Sequence, residues 1–173
     1  MVLIPKGGGD YRNIHLVEVV WKAVAVILNS RSTVSITYHN YIHGFRSGHD
    51  MGTGTLEVKL LQQVTAMREE VLHTILLDLH KDYDALDRSR CLKILEGYGV
   101  GHRALLLLLR RYWERLQMVA RAGGYYGETS SREIGMTQGD PLSPTIFNGV
   151  VDAVIHHLGC LILEGAGGGG QQG

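Results

Sequence analysis

Between Leu76 and Arg88 the sequence reads LLDLHKDYDALDR, in which Asp78, Asp82, Asp84 and Asp87 crowd around one phenol, Tyr83, directly behind an apolar run. An aspartate at the end of a buried strand, beside a tight turn, can present its oxygens into a cleft while the strand holds it rigid. Such an arrangement suits magnesium, a hard cation that takes oxygen ligands and fills its remaining positions with substrate phosphates. Asp78 can equally cap the turn that follows it. Asp84 and Asp87 suit a helix N-terminus whatever the chemistry, through side-chain capping and the helix dipole. Near the start of the chain, Lys6 and Arg12 flank the glycines of VLIPKGGGDYRNIHL. A lysine offers phosphate a mobile point charge and an arginine offers it a planar fork, but both are also ordinary surface charges beside a turn. No lysine–serine pair follows the glycines, so the segment is not a P-loop.

The elements that must position these residues are readable from period and punctuation. Two short apolar stretches around the first glycines predict a β-hairpin, and the apolar-rich block Val17 to Asn29 predicts a helix. HGFRSGHDMGTGT, with its glycines among polar residues, reads as a loop. Leu56, Leu60, Val64, Met67 and Val71 recur every three to four positions and predict one buried face of a helix. The continuous apolar run Val71 to Leu79 predicts a strand covered on both faces. Asp84 or Asp87 then caps a helix ending near Gly97. ALLLLLRRYWERL predicts a helix buried at its start, and QMVARAGGYYGETSSREIGM predicts short strands around a glycine turn. Ser143 as cap and Pro144 at the first helical position open a last helix through Ile155 and on towards Leu163. The tail GAGGGGQQG has too little side chain to bury and is expected to be disordered.

The bulk numbers exclude several classes. A chain of 173 residues, 45% hydrophobic, can bury one core. Seventeen basic and seventeen acidic residues leave no global field, so any contact with a polyanion must be local. Arg103, Arg110, Arg111, Arg115 and Arg121, with Tyr112 and Trp113 among them, either track a nucleic-acid backbone or form a solvated helix face. Cys91 and Cys160 form no disulfide framework, and the nine histidines contain no His-Glu-x-x-His pattern. Neither a signal core nor a membrane span is legible, so an intracellular location, cytoplasm or nucleus, is expected.

Four segments carry a family resemblance. LDLHKDYDALDR resembles the first catalytic motif of reverse transcriptases, in which an aspartate is followed five residues later by an aromatic and then by another aspartate. GMTQGDPLSPTIFN resembles the family's Gln-Gly-x-x-Leu-Ser-Pro-x-x-Phe-Asn motif. LIPKGGGDYRNIHL resembles the fingers motif of the non-LTR retroelement and group II intron branch, and HGFRSG resembles its Gly-Phe-Arg loop. The four stand in family order from Val2 to Asn148. The resemblance implies an α+β fold, a partial fingers–palm of a right-hand polymerase with an antiparallel sheet backed by helices and no thumb. It assigns 1–55 to the fingers and 56–163 to the palm, with 164–173 as the glycine-rich tail.

The same resemblance implies roles. Asp78 is the catalytic carboxylate that binds two magnesium ions, with Leu79 as a second metal-binding position. Tyr83 lies under the incoming sugar, where its ring would clash with a ribose 2′-hydroxyl. Lys6 and Arg12 fold over the nucleotide triphosphate, and Gln138 and Gly139 contact the nascent base pair. Arg46, Arg110 and Arg111 fall to the nucleic acid. The implied partners are an RNA template, a DNA primer and deoxynucleotide triphosphates, with no membrane.

Two departures qualify the match. Asp82 stands where the family usually has a small residue, bringing an extra carboxylate close to the nucleotide. No aromatic-x-Asp-Asp occurs in the 173 residues, although the family carries that hairpin after the helix corresponding to the one at Ser143. A centre with one aspartate lacks the opposing carboxylate that holds two ions roughly 3.5–4 Å apart. The expectation is that this chain alone neither holds the ions stably nor polymerises. It reads either as a reverse transcriptase fragment, cut from something longer, or as a non-catalytic nucleic-acid-binding remnant or inert truncated copy.

Overall fold

The first two apolar stretches do pair as the two arms of a hairpin. In the structure, a computed structural model describing residues 1–7, 10–79, 82–100, 103–122 and 124–167, β1 (Val2–Gly7) pairs antiparallel with β2 (Asp10–Ile14). Val2 faces Ile14 and Ile4 faces Arg12, and the register shifts between Pro5 and Gly7, where a residue without an N–H is tolerated. A second hairpin, β3 (Gln117–Ala122) with β4 (Tyr125–Ser131), is also antiparallel. One parallel bridge, Val2 to Arg121, joins the hairpins into a sheet ordered β2-β1-β3-β4. The architecture is α+β, with the sheet formed from the first hairpin and a second one that follows α5.

Helices build the core. α1 (Val19–Ser35) turns Trp21, Ala25, Leu28 and Ser32 inward, a stripe at helical spacing. After α2 (Met51–Met67) and the single turn α3 (Asp82–Ala85), α4 (Arg88–Gly97) buries Arg88, Cys91, Leu92 and Leu95 on the same principle. α5 (Arg103–Glu114) contributes Leu109 and Trp113, and α6 (Ser143–Gly167) contributes Ile146. Trp21 of α1 stacks on Tyr112 of α5, ring centroids 3.6 Å apart and 8° from parallel. Cys91 is a free thiol that burial pushes up to about 11; the Cys160 side chain lies outside the described residues. No helix among the described residues is long and apolar enough to cross a membrane.

Polar residues tie these elements where apolar contact alone would not orient them. Arg88, 8% exposed, donates to the carbonyls of Gly135, Trp113 and Arg132, so α4 is pinned to the end of α5 and to the loop after β4. Asp152 of α6, 1% exposed, accepts from the Tyr98 hydroxyl, from the His39 amide at 3.1 Å and from the His39 ring at 2.9 Å. Burial drives its carboxyl up, but these donors outweigh burial and hold it below the usual carboxylate range.

Several expectations need correction. α2 starts at Met51, inside the stretch read as a loop, because Asp50 and Thr53 form a capping box: the Thr53 amide donates to Asp50 at 2.7 Å and the Asp50 amide to Thr53 at 3.0 Å. Two of the helix's unpaired first-turn donors are thereby satisfied despite Gly52 and Gly54. The apolar stripe predicted to be buried is exposed instead: Leu60 is 50% and Met67 84% exposed, and only Thr65 of α2 is buried. Val71 to Leu79 is not a strand, and all of its side chains are exposed, Leu76 by 92%. A strand covered on both faces needs a ladder beside it and layers above and below, and the described strands pair only with one another.

The start of α5 is likewise less buried than predicted, Leu107 and Leu108 being 46% and 44% exposed, since only one side of that helix meets the core. α6 does begin at Ser143, but its hydroxyl donates to the Thr137 carbonyl at 3.0 Å and does not cap the helix. That helix continues to Gly167, and the tail residues 168–173 lie outside the described residues.

Two measurements check this packing. In urea titrations Leu95→Ala is expected to cost about 2–5 kcal/mol and Leu60→Ala to stay within about 0.5 kcal/mol, despite the identical change of side chain. Asp152, with its folded-state pKa depressed, contributes stability that is present above the unfolded value of about 3.9 and is lost as pH falls through the folded value. Acid unfolding of Asp152→Asn is expected to lack that limb between roughly pH 5 and pH 2, and an unchanged limb would remove Asp152 as its source.

Candidate functional site

The loop between β4 and α6 is the meeting point of the motif segments. Gly135, at φ +86°, donates its amide to the Leu86 carbonyl at 2.8 Å, and the Met136 amide donates to the Tyr83 carbonyl at 2.7 Å. A Cβ on Gly135 would lie 2.7 Å from the Asp84 carbonyl oxygen, so only glycine lets the α3 turn rest directly on this loop. Arg132 and Asp84 clamp the same contact with a half-buried ion pair at 2.8 Å. Tyr83 is thereby held with its ring stacked on Phe147 of α6, centroids 5.0 Å apart. Burial and the neighbouring Asp82 charge both raise its phenol pKa, keeping it protonated.

The other side of the loop meets the end of the first hairpin. His15 donates its amide to the Gln138 carbonyl at 2.8 Å, and a Cβ on Gly139, which has φ +111°, would lie 2.6 Å from the His15 carbonyl oxygen. Asp140, 5% exposed, then accepts from the Trp21 indole N–H at 2.8 Å and from the Leu142 amide at 2.9 Å. Tyr83 of α3 and the base of the glycine hairpin thus both rest on the one loop that carries Gln138 and Gly139.

The remaining sequence-predicted residues are placed as follows. Asp78 is exposed and makes no hydrogen bond or ion pair among the described residues. The buried strand expected to hold it is an exposed, irregular segment, for the want of pairing partners noted above; Leu79 beside it is 56% exposed. No hydrogen bond links Asp78 to Tyr83. Lys6 and Arg12 have their backbones on opposite arms of the hairpin, in β1 and β2, and their side chains lie outside the described residues. Arg46 is half-buried and donates to the His39 carbonyl at 2.9 Å, so it braces its own loop. Arg110 and Arg111 are exposed on α5. Of the two candidate caps, Asp87 caps α4 through the Arg90 amide at 2.8 Å, while Asp84 is taken by Arg132.

As a magnesium centre the donor set is incomplete. Asp78 supplies one carboxylate and Leu79 a carbonyl, and among the described residues no group of three or more His, Cys, Asp or Glu is placed to hold a metal ion. A pair of ions with the octahedral demands of magnesium does not fit that set.

Sequence reasoning missed Asp140, Arg88 and Asp152, all buried and all hydrogen-bonded. For Asp140 a local signal existed, since an aspartate directly before a proline starts turns by accepting backbone amides. Arg88 and Asp152 find their partners through tertiary contacts that no local pattern announces.

Most of the chain is similar in sequence to known proteins. The chain is 25% identical over 149 residues to the retrovirus-related Pol polyprotein from type-2 retrotransposable element R2DM of Drosophila melanogaster, covering 86% of this chain and 14% of that protein. It is 24% identical over 165 residues to the Pol polyprotein from type-1 retrotransposable element R2 of Popillia japonica, covering 90% of this chain and 23% of that protein. Against the R2 Pol polyprotein of Nasonia vitripennis the identity is 26% over 170 residues, 91% of this chain and 16% of that protein. The chain therefore spans less than a quarter of the length of these relatives. Residues 4–160 match the family described as Reverse transcriptase (RNA-dependent DNA polymerase), and with its glycine hairpin, α3 turn and Gln138–Gly139 loop joined as above, the chain belongs to the reverse transcriptase family.

Proposed function

We propose that this chain is the fingers (1–55) and part of the palm (56–163) of a retroelement reverse transcriptase. Its parent protein copies an RNA template into DNA from a DNA primer, consuming deoxynucleotide triphosphates. The observation that carries the reading is the family match over residues 4–160, which includes every segment joined at the 135–140 loop. In this reading Asp78 is the catalytic carboxylate and, with Leu79, offers oxygens to magnesium. Lys6 and Arg12 grip the triphosphate from the two arms of the hairpin, a task suited to a mobile ammonium and a planar guanidinium. Tyr83, rigid on Phe147, excludes a ribose 2′-hydroxyl by its bulk. Gln138 and Gly139 approach the nascent base pair, and Arg46, Arg110 and Arg111 lie along the nucleic acid. Such a protein works inside the cell, in the cytoplasm or nucleus.

The incomplete donor set supports a second reading for the chain taken by itself, a nucleic-acid-binding remnant that does not incorporate nucleotides. An inert copy would show neither property.

Primer extension by the full reading frame separates these readings. Asp78→Ala is expected to lower incorporation by at least about 10²–10³-fold, the scale of losing one preorganised electrostatic contact to the transition state. Retained synthesis would overturn the role of Asp78. The 173-residue chain alone is expected to bind RNA with an affinity that falls steeply as salt rises, and to extend no primer. Absence of binding at low ionic strength would leave only the inert copy.

A further inference from the structure

α2 stands clear of the other elements. No helix or strand among the described residues packs along it, and Thr65 is its only buried residue. Leu56, Leu60, Val64 and Met67 nevertheless line up along one side at helical spacing, with Leu61 beside them, and each of the five is at least 43% exposed. A helix that faces water on all sides is held by charged residues and their i,i+4 pairs. α2 has only two charges in 17 residues, Glu57 and Lys59. Its capping box satisfies donors at one end, and an isolated helix of this length is marginal in water. The apolar side of α2 therefore calls for a cover.

Charge narrows what that cover is. An anionic membrane or a polyanion needs a basic face, and α2 offers one lysine. At 3.6 residues per turn, Glu57 falls on one flank of the Leu56–Leu60–Val64–Met67 stripe and Lys59 on the other. A surface with an acid on one flank and a base on the opposite flank is complementary to itself. A two-fold axis along the helix direction sets stripe against stripe and brings each Glu57 flank beside the Lys59 flank of the second copy. The His43 ring holds one oxygen of Glu57 at 3.0 Å, and the side chain is still 61% exposed, open to a further donor. The five apolar side chains of two copies together offer on the order of 1,000 Å², the lower bound for a specific interface, which sets the affinity in the micromolar range.

We propose that α2 is the seam of a homodimer, in which the Leu56–Leu60–Val64–Met67 stripes of two copies pack in parallel and the Glu57 and Lys59 flanks select the partner and its direction.

Sedimentation equilibrium of the 173-residue chain, from about 1 to about 100 µM, tests this with no nucleic acid present, so its outcome is independent of the reading as a reverse transcriptase. A reversible monomer–dimer equilibrium is expected. Leu60→Lys is expected to weaken it at least about tenfold while leaving the thermal midpoint of the monomer unchanged, because Leu60 is exposed in a single copy. Val26→Lys, at an exposed apolar position of α1, is expected to leave dimerisation as it is. Glu57→Lys and Lys59→Glu each give both flanks the same sign, and each alone is expected to dimerise about tenfold more weakly. Mixed in equal amounts, these two variants are expected to recover the affinity of the unaltered chain, a result that no folding defect imitates. A chain that stays monomeric throughout gives the face to some other occupant and overturns the proposal. So does a dimer that survives Leu60→Lys but is lost in Leu76→Lys, which places the contact in the extended run after α2, or a pair of charge variants that shows no recovery on mixing.

Discussion

A carboxylate with one donor on each oxygen holds the centre of this molecule together. Asp140 is almost fully buried, and the indole of Trp21 and the amide of Leu142 divide its two oxygens between them. Taking such a charge out of water is tolerable only with those donors in place, so the loop, the front of α1 and the start of α6 can assemble in one way. The consequence spreads outward. Trp21, fixed by its indole N–H, stacks on Tyr112 and so orients α5. The loop that Asp140 terminates carries the glycines on which the α3 turn and the base of the first hairpin rest.

That geometry explains why distant segments of a reverse transcriptase sequence act as one unit. Tyr83 reaches the Gln138–Gly139 loop through a backbone hydrogen bond to Met136, and the hairpin reaches it through His15. Backbone contacts of this kind tolerate side-chain change around them but not a Cβ at Gly135 or Gly139, where the nearest backbone oxygens are closer than any real contact allows. Asp78, which opens that motif, belongs to the same stretch of chain as Tyr83, but it lies on the other side of residues 80–81 from this assembly.

Much of this was legible in the amino-acid order, for reasons that mark where legibility ends. The hairpin followed from its glycines, α1 from an apolar-rich block and α4 from its acidic cap and glycine stop, and in both helices the apolar face does meet a core. Apolar pattern alone misleads at α2 and at Val71 to Leu79. Apolar spacing records a preference for burial, and the structure places no layer against either segment. At the site, the motif picked out Tyr83, Gln138 and Gly139, and the structure joins them. Which of Asp84 and Asp87 would cap α4 was undecidable locally, because Arg132, 48 positions away, claims Asp84. His15, Arg88 and Asp152 derive their character from burial and from remote partners, which a linear pattern does not encode.

The uncovered run Val71 to Leu77 has a consequence for the chain as a solute. VLHTILL is rich in β-branched and leucine residues, contains no proline and carries no formal charge with its histidine neutral, and every side chain in it is open to water. Segments of that composition, when their backbone is unpaired, recruit identical segments from other molecules into intermolecular ladders. A lysine or proline within those seven positions is therefore expected to lower the tendency of this polypeptide to self-associate.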